Sequence, residues 1–245
     1  MPQLRRPSSR PSVLAKGLLA RPWSVMATVR MPGESARGPL PALTTAQSLL
    51  AAGLRADVEH LAGEIGERNT RHPERLRAAE TWLRERLAGL GLGPVVHQPY
   101  RADGVVVANL WVDVRGNGAI GEQKGGDLAQ EVVVVGAHYD AFPGSPAAND
   151  NGSGVGAVLA LGRALAALPP ERRPARTIRL ALFVNEEPPY FWTELMGSVV
   201  MARACREARN NGGRERIVAM LTPETIGCYF DAPGTQKYPP PLGLV

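Results

Sequence analysis

The sequence predicts an α/β protein, a three-layer αβα sandwich around a mixed, mostly parallel central sheet. Three observations lead there. Apolar runs of strand length alternate with stretches of helical periodicity, an order that implies βαβ crossovers. One run holds four consecutive valines, Val132 to Val135, as expected of a strand buried on both faces. At 245 residues and 44% hydrophobic content, the chain can bury one large core but not a second full domain.

Residues 1–43 stand apart. They are rich in Arg, Pro and Ser and hold seven basic side chains against one acid, Glu34, which predicts a disordered segment. Their apolar stretch, VLAKGLLA, is interrupted by Lys16, so no clear secretory signal is present. An acid-poor leader of this kind also fits an organellar transit peptide, but Arg, Ala, Gly and Pro are abundant along the whole chain. Compositional bias is the simpler explanation, and a cytoplasmic location is slightly favoured. The net charge of +5 originates in this segment, because residues 44–245 hold 21 basic and 22 acidic side chains. A nucleic-acid-binding face is therefore not expected. No run reaches the roughly 18 apolar residues of a membrane span. Cys205 and Cys228 are too few for a disulfide framework and lie in no structural-zinc spacing; both are expected to be buried thiols.

Residues 44–245 form the second expected domain, and periodicity assigns its elements in order. Thr45 is placed to cap a helix in which Leu49, Leu50, Leu54, Val58 and Leu61 recur at helical spacing. A second helix starts at Pro73, with Leu76, Ala79, Trp82, Leu83 and Leu87 on one face. Strand-like runs follow at 94–100 and 105–114, then the valine-rich strand that ends at His138. Beyond a loop, Asp150-Asn-Gly-Ser-Gly154 leads into an apolar helix, and the run 177–184 predicts a strand that stops at Asn185-Glu186-Glu187. A helix over about 194–208 and a strand over about 217–221 deliver Glu224.

His138, Asp140, Asp150, Glu186, Glu187 and Glu224 thus gather where apolar runs stop, and open α/β sheets bind ligands outside the carboxyl ends of their strands. Hard oxygen donors with an imidazole suit zinc ions that activate water. Each segment alone has an ordinary reading: a core histidine, an Asp that caps a helix, a solvated pair of acids, a surface acid after Pro223. Their joint order argues for chemistry. His60, His72 and His97 all precede the site and are expected to pack or lie at the surface.

The segments GAHYD at 136–140, ANDNGSG at 148–154, NEE at 185–187 with MGS at 196–198, and PETIG at 223–227 resemble the co-catalytic di-zinc aminopeptidases. That family shares its catalytic domain with bacterial leucyl aminopeptidases, glutaminyl cyclases and the protease-like domain of transferrin receptor. The resemblance implies a zinc exopeptidase fold, with residues 44–245 as a catalytic domain incomplete at its C-terminus. It implies that His138 and Glu224 bind one zinc, that Asp150 bridges two, and that Glu187 binds the second. Glu186 is then the general base and Asp140 the carboxylate that orients the His138 ring. Two adjacent acids leaving a strand point different ways, so one can hold metal while its neighbour takes a proton. The implied activity is removal of N-terminal amino acids from peptides, with zinc as cofactor, two ions in the complete family site and one or two here. The resemblance also implies a cis bond between Asp150 and Asn151. Glycines 152, 154 and 156 are expected to let the backbone pass close to the metals.

Two departures from the family stand out. The segment Pro188-Pro-Tyr-Phe-Trp-Thr-Glu-Leu195 replaces a shorter, glycine-containing linker, and Tyr190, Phe191 and Trp192 are candidates for the wall of a substrate pocket, with packing on the domain's own surface as the alternative. No histidine follows His138, whereas the family completes its second zinc with one near the last strand. The second ion is therefore expected to bind weakly, and the chain to be a truncated member. A single-zinc acyltransferase of the glutaminyl cyclase kind and a non-catalytic binding domain of the same fold are the alternatives to a peptidase. The sequence carries no signal of oligomeric state.

Overall fold

The helical pattern that starts after residue 43 becomes α1 (Thr45–Val58), which continues as a π-helical turn over Glu59–Ile65. The structure, a computed structural model, describes residues 38–39, 41–120, 123–124 and 128–228. The chain divides into residues 43–229 and a second unit of residues 1–42 with 230–245. That second unit, which takes in nearly all of the segment expected to be disordered, lies almost wholly outside the described residues. The cap of α1 is Thr44, one residue earlier than expected. Its hydroxyl accepts the Gln47 amide while the Gln47 side chain accepts the Thr44 amide. Counted from Thr45, the corresponding position is Ser48, too short to reach back. Leu61 is fully buried, but Leu49 and Leu50 stay exposed.

The second helix, α2 (Pro73–Ala88), has proline in its first turn and buries Leu76, Ala79, Leu83 and Leu87. His60 stacks on Trp82 at 4.6 Å between ring centroids, His97 meets Glu80 at 2.7 Å, and His72 lies 3.6 Å from Glu67. All three histidines serve the scaffold. Strands β1 (Val96–Ala102) and β2 (Val105–Val114) form a hairpin. Asp103 and Gly104, at φ +48° and +86°, make the two-residue turn whose left-handed backbone matches strand twist. A short ribbon, β3 (Ala119–Ile120) with β4 (Gln123–Lys124), precedes β5 (Glu131–His138). Then come α3 (Gly154–Ala166), β6 (Thr177–Phe183), α4 (Gly197–Asn210) and β7 (Arg216–Leu221).

The main sheet runs β1-β2-β6-β5-β7. Its parallel part is β6-β5-β7, with β5 central, and the antiparallel β2 and β1 extend it on one side. α2 and α3 close one face around Leu110, Val112, Leu159, Leu180 and Leu182, and α1 packs on α3. The opposite face is covered by Met201 of α4 over Val132, Val134, Ala181 and Phe183. This is the three-layer sandwich, and it sets the carboxyl ends of β5, β6 and β7 along one rim. α4 begins at Gly197, three residues later than expected. The Gly197 amide bonds the Val184 carbonyl at 2.9 Å, and the preceding residues are spent on turns. Cys205 is half-buried on α4. Cys228 is exposed, contrary to expectation, because it follows the Ile226-Gly227 turn beyond the sheet. Among the described residues no helix is long and apolar enough to cross a membrane.

Leu83 is fully buried in the larger cluster, so Leu83→Ala is expected to lower the free energy of unfolding by about 2–5 kcal/mol, read from denaturant titration.

Candidate metal centre

His138 is the last residue of β5, and its ring is 3% exposed. Its Nε2 lies 3.0 Å from Asp150 Oδ1, 3.4 Å from Glu224 Oε1 and 3.7 Å from Glu186 Oε2. Three carboxylates from three separate segments therefore converge on one nitrogen. The other ring nitrogen, Nδ1, faces Asp140 Oδ1 at 3.4 Å, an ion-pair contact with no hydrogen bond. Two overlapping sets of donor atoms fall within 4.8 Å of one another: His138, Asp150 and Glu224, and His138, Glu186 and Glu187.

The segment that carries Asp150 is fastened to the one that carries Glu224. Asn151, fully buried, donates from Nδ2 to the Pro223 carbonyl at 3.0 Å and to Glu224 Oε2 at 2.9 Å, while its Oδ1 accepts the Gly154 amide. Ser153 Oγ accepts the Ile226 amide, and Asn149 Oδ1 accepts that of Gly227. The Asp150–Asn151 peptide is cis. Of the three glycines, Gly152 and Gly154 are those whose lack of a side chain is forced. A Cβ on Gly152 would crowd the Ala147 carbonyl at 2.8 Å, and one on Gly154 would overlap Asn151 Oδ1 and the Pro223 carbonyl. The close approach is thus of backbone to backbone. Gly156 faces Leu54 and Val58 of α1 at ordinary contact distances.

At the end of β6 the two glutamates diverge for a reason other than strand alternation. Asn185, 1% exposed, sits at φ +59°, a strained conformation for a residue with a side chain. The turn it makes aims two successive amides at Asp140, which accepts from Glu186 N at 3.1 Å and Glu187 N at 3.0 Å. Asp140 therefore fixes the Glu186-Glu187 turn by hydrogen bonds and touches His138 through charge.

Five carboxylates around one imidazole leave the cluster short of positive charge. Burial, the largest single influence on His138, favours the neutral ring, but Asp140, Asp150 and Glu224 together outweigh it and push its pKa up to about 12. A hydrogen bond from His138 holds Asp150 below the usual carboxylate range. Glu186 and Glu187 are raised, burial foremost; for Glu187 the Asp150 charge comes next, and it reaches about 7. A lone protonated imidazole thus stands where a divalent cation would balance the charge better, and imidazole nitrogen with carboxylate oxygen is a donor set zinc accepts.

The structure brings His138, Asp140, Asp150, Glu186, Glu187 and Glu224 together. It separates the three aromatics. Tyr190 is turned into the core and bonds Thr70 at 3.2 Å, although one edge lines a crevice beside Glu187. Phe191 and Trp192 are exposed and meet edge to face. Asn151 and Asp140's amide contacts were missed from sequence, as was Arg68, fully buried beneath the loop between His138 and Asp150. The chain's abundance of arginine hid the last of these.

A mixed α/β sheet with an imidazole and carboxylates at the carboxyl ends of its parallel strands has the architecture of the zinc exopeptidase fold. Residues 119–239 match the model of peptidase family M28. Aminopeptidase YwaD of Bacillus subtilis (strain 168) is 44% identical over 57 residues, 23% of this chain and 12% of that protein. A probable zinc metalloprotease of Pyricularia oryzae is 32% identical over 193 residues, 72% of this chain and 35% of its own length. The crystal structure of Fimbriiglobus ruber glutaminyl cyclase shares the fold, with a TM-score of 0.53 and 20% identity over 76% of this chain and 65% of that one. The chain spans about a third or less of the curated relatives it matches.

Gly154→Ala is expected to destabilise the fold by about 1–3 kcal/mol, since the Pro223–Glu224 segment must move away. Gly156→Ala, with Leu54 at 3.6 Å, should be neutral or slightly stabilising through better helix propensity. Thermal unfolding of the two variants separates these outcomes.

Proposed function

We propose that the chain is the metal-binding part of a zinc-dependent exopeptidase that removes N-terminal amino acids from peptides. The supporting observation is the convergence of Asp150, Glu224 and Glu186 on His138 Nε2. His138, Asp150 and Glu224 would hold one ion. Because both candidate donor sets draw on His138, a second ion would have only Asp150 and Glu187 from the protein, so we infer one tightly bound zinc. When bound, zinc supplies Lewis acidity that polarises the scissile carbonyl and acidifies an attacking water.

The chain's own residues would do the rest. Glu186, partly exposed and raised in pKa by burial, takes a proton from the water as its oxygen bonds the carbonyl carbon. It then gives that proton to the leaving amine nitrogen as the C–N bond breaks. Asp140 keeps Glu186 and Glu187 pointing apart through their amides. Phe191 and Trp192 would line the site for the substrate's first side chain, while Tyr190 braces them from within. A single-zinc cyclisation of N-terminal glutamine with loss of ammonia is the second reading, favoured by the single imidazole that both donor sets share.

The purified chain is expected to bind one equivalent of zinc tightly and to release amino acids from aminoacyl chromogenic substrates. Glu186→Gln should retain the zinc and lose about 10²- to 10⁴-fold in kcat. Ammonia release from N-terminal glutaminyl peptides, without amino acid release, would put cyclisation in place of hydrolysis. Zinc binding with neither activity would leave a non-catalytic domain. Trp192 is 85% exposed, so Trp192→Ala should leave the melting temperature alone and reorder kcat/KM among substrates; an unchanged order removes it from the pocket.

A further inference from the structure

We infer that Arg68 is a positioning residue for the metal centre: its buried guanidinium locks the loop between His138 and Asp150, so the donor set is formed before a cation arrives. The inference rests on the zinc reading above. Arg68 is 0% exposed. Its Nε donates to the Tyr139 carbonyl at 2.6 Å, directly after His138. Nη1 reaches the carbonyls of Pro146 at 2.8 Å, Gly66 at 3.0 Å and Leu61 at 3.2 Å, and Nη2 reaches Ala147 at 3.2 Å. The Arg68 carbonyl in turn accepts the Ala141 amide at 2.9 Å. One side chain therefore grips both ends of the segment 139–147.

That grip bears on the site through the backbone. Ala147, held at φ +54°, accepts the Gly152 amide at 3.1 Å, which closes the turn containing Asp150. At the other end, Tyr139 is tied by its amide to Phe183 and by its hydroxyl to Ala108, so the loop is clamped against the sheet. Every hydrogen-bond partner of the guanidinium is a carbonyl. Burying a charge with no hydrogen-bonded carboxylate is costly. The compensation available here is the nearby Asp140 charge, with five carbonyl dipoles aimed inward. A lysine could not substitute. Its ammonium is a single point with three donors and cannot span carbonyls on both sides of a planar fork.

The test compares zinc affinity, by chelator competition, in the wild type, Arg68→Lys and the core variant Leu83→Ala. Arg68→Lys is expected to lose about 10- to 100-fold in affinity, the range typical of groups that support metal ligands. Leu83→Ala should bind as the wild type does despite its own loss of stability. Arg68→Lys binding within about twofold of the wild type would overturn the inference. Should that variant fail to fold, amide hydrogen exchange in the metal-free wild type decides. Slow exchange at Ala141 and Gly152 that added zinc leaves unchanged supports a loop ordered by Arg68; rapid exchange that slows only with zinc means the ion orders it. A wild type that binds no zinc would instead sink the reading of the site, and the metal-free exchange result would still settle what Arg68 does.

Discussion

The structure around the rim of the sheet depends on one constraint: five carboxylates must be held near a single imidazole against their mutual repulsion. No one contact achieves this. Asp140 is neutralised in part by two amides of the Glu186-Glu187 turn, Glu224 by the Asn151 side chain, and Asp150 by His138. The sheet supplies the rigid member, since β5 is paired on both sides and His138 ends it. The other donors arrive on irregular backbone. A non-glycine residue in the left-handed region sits beside each: Ala147 ahead of Asp150, Asn185 ahead of Glu186, Thr225 directly after Glu224. Strain of this kind persists only where the surroundings over-determine it, and here it falls at all three places where a carboxylate must be aimed.

The loops that carry Asp150 and Glu224 behave as one structural unit. Asn149, Asn151 and Ser153 are alternate residues of one short turn, and each bonds the segment 223–227. The distance in sequence is more than seventy residues, yet the separation in space is a single hydrogen bond. A helix entry with a polar Asn-Asp-Asn-Gly-Ser run is thereby explained without invoking solvent, because the polar groups are consumed by a neighbouring strand end.

Much of this was legible in the sequence where the signal is local. The valine run, the proline at the start of α2 and the alternation of patterns follow from periodicity and propensity, and they locate β5, α2 and the crossovers. The six residues gathered at the rim were marked by order and spacing rather than any single motif. What could not be read was long-range. Arg68 looks like one more arginine in an arginine-rich chain, and only the fold reveals that its partners lie at Tyr139 and Pro146–Ala147. Asn109 is equally silent until β2 places it between Val184 and Gly197. Adjacent residues misled where local backbone intervened. Tyr190 turns inward while Trp192 turns out, and the glutamates part at a left-handed asparagine.

The far edge of the sheet carries a different consequence. All six residues of β7 are exposed, Ile217, Val218, Met220 and Leu221 among them, and among the described residues the strand pairs with β5 alone. A strand edge without a neighbour among the described residues, flanked by apolar side chains, is the kind of border on which another strand can pair. Glu215 stands before it and Arg216 opens it as charged gatekeepers, although each is already engaged, with Arg179 and Glu131. Among the described residues, the sheet that presents the metal donors thus also carries a border whose strand is exposed along its whole length.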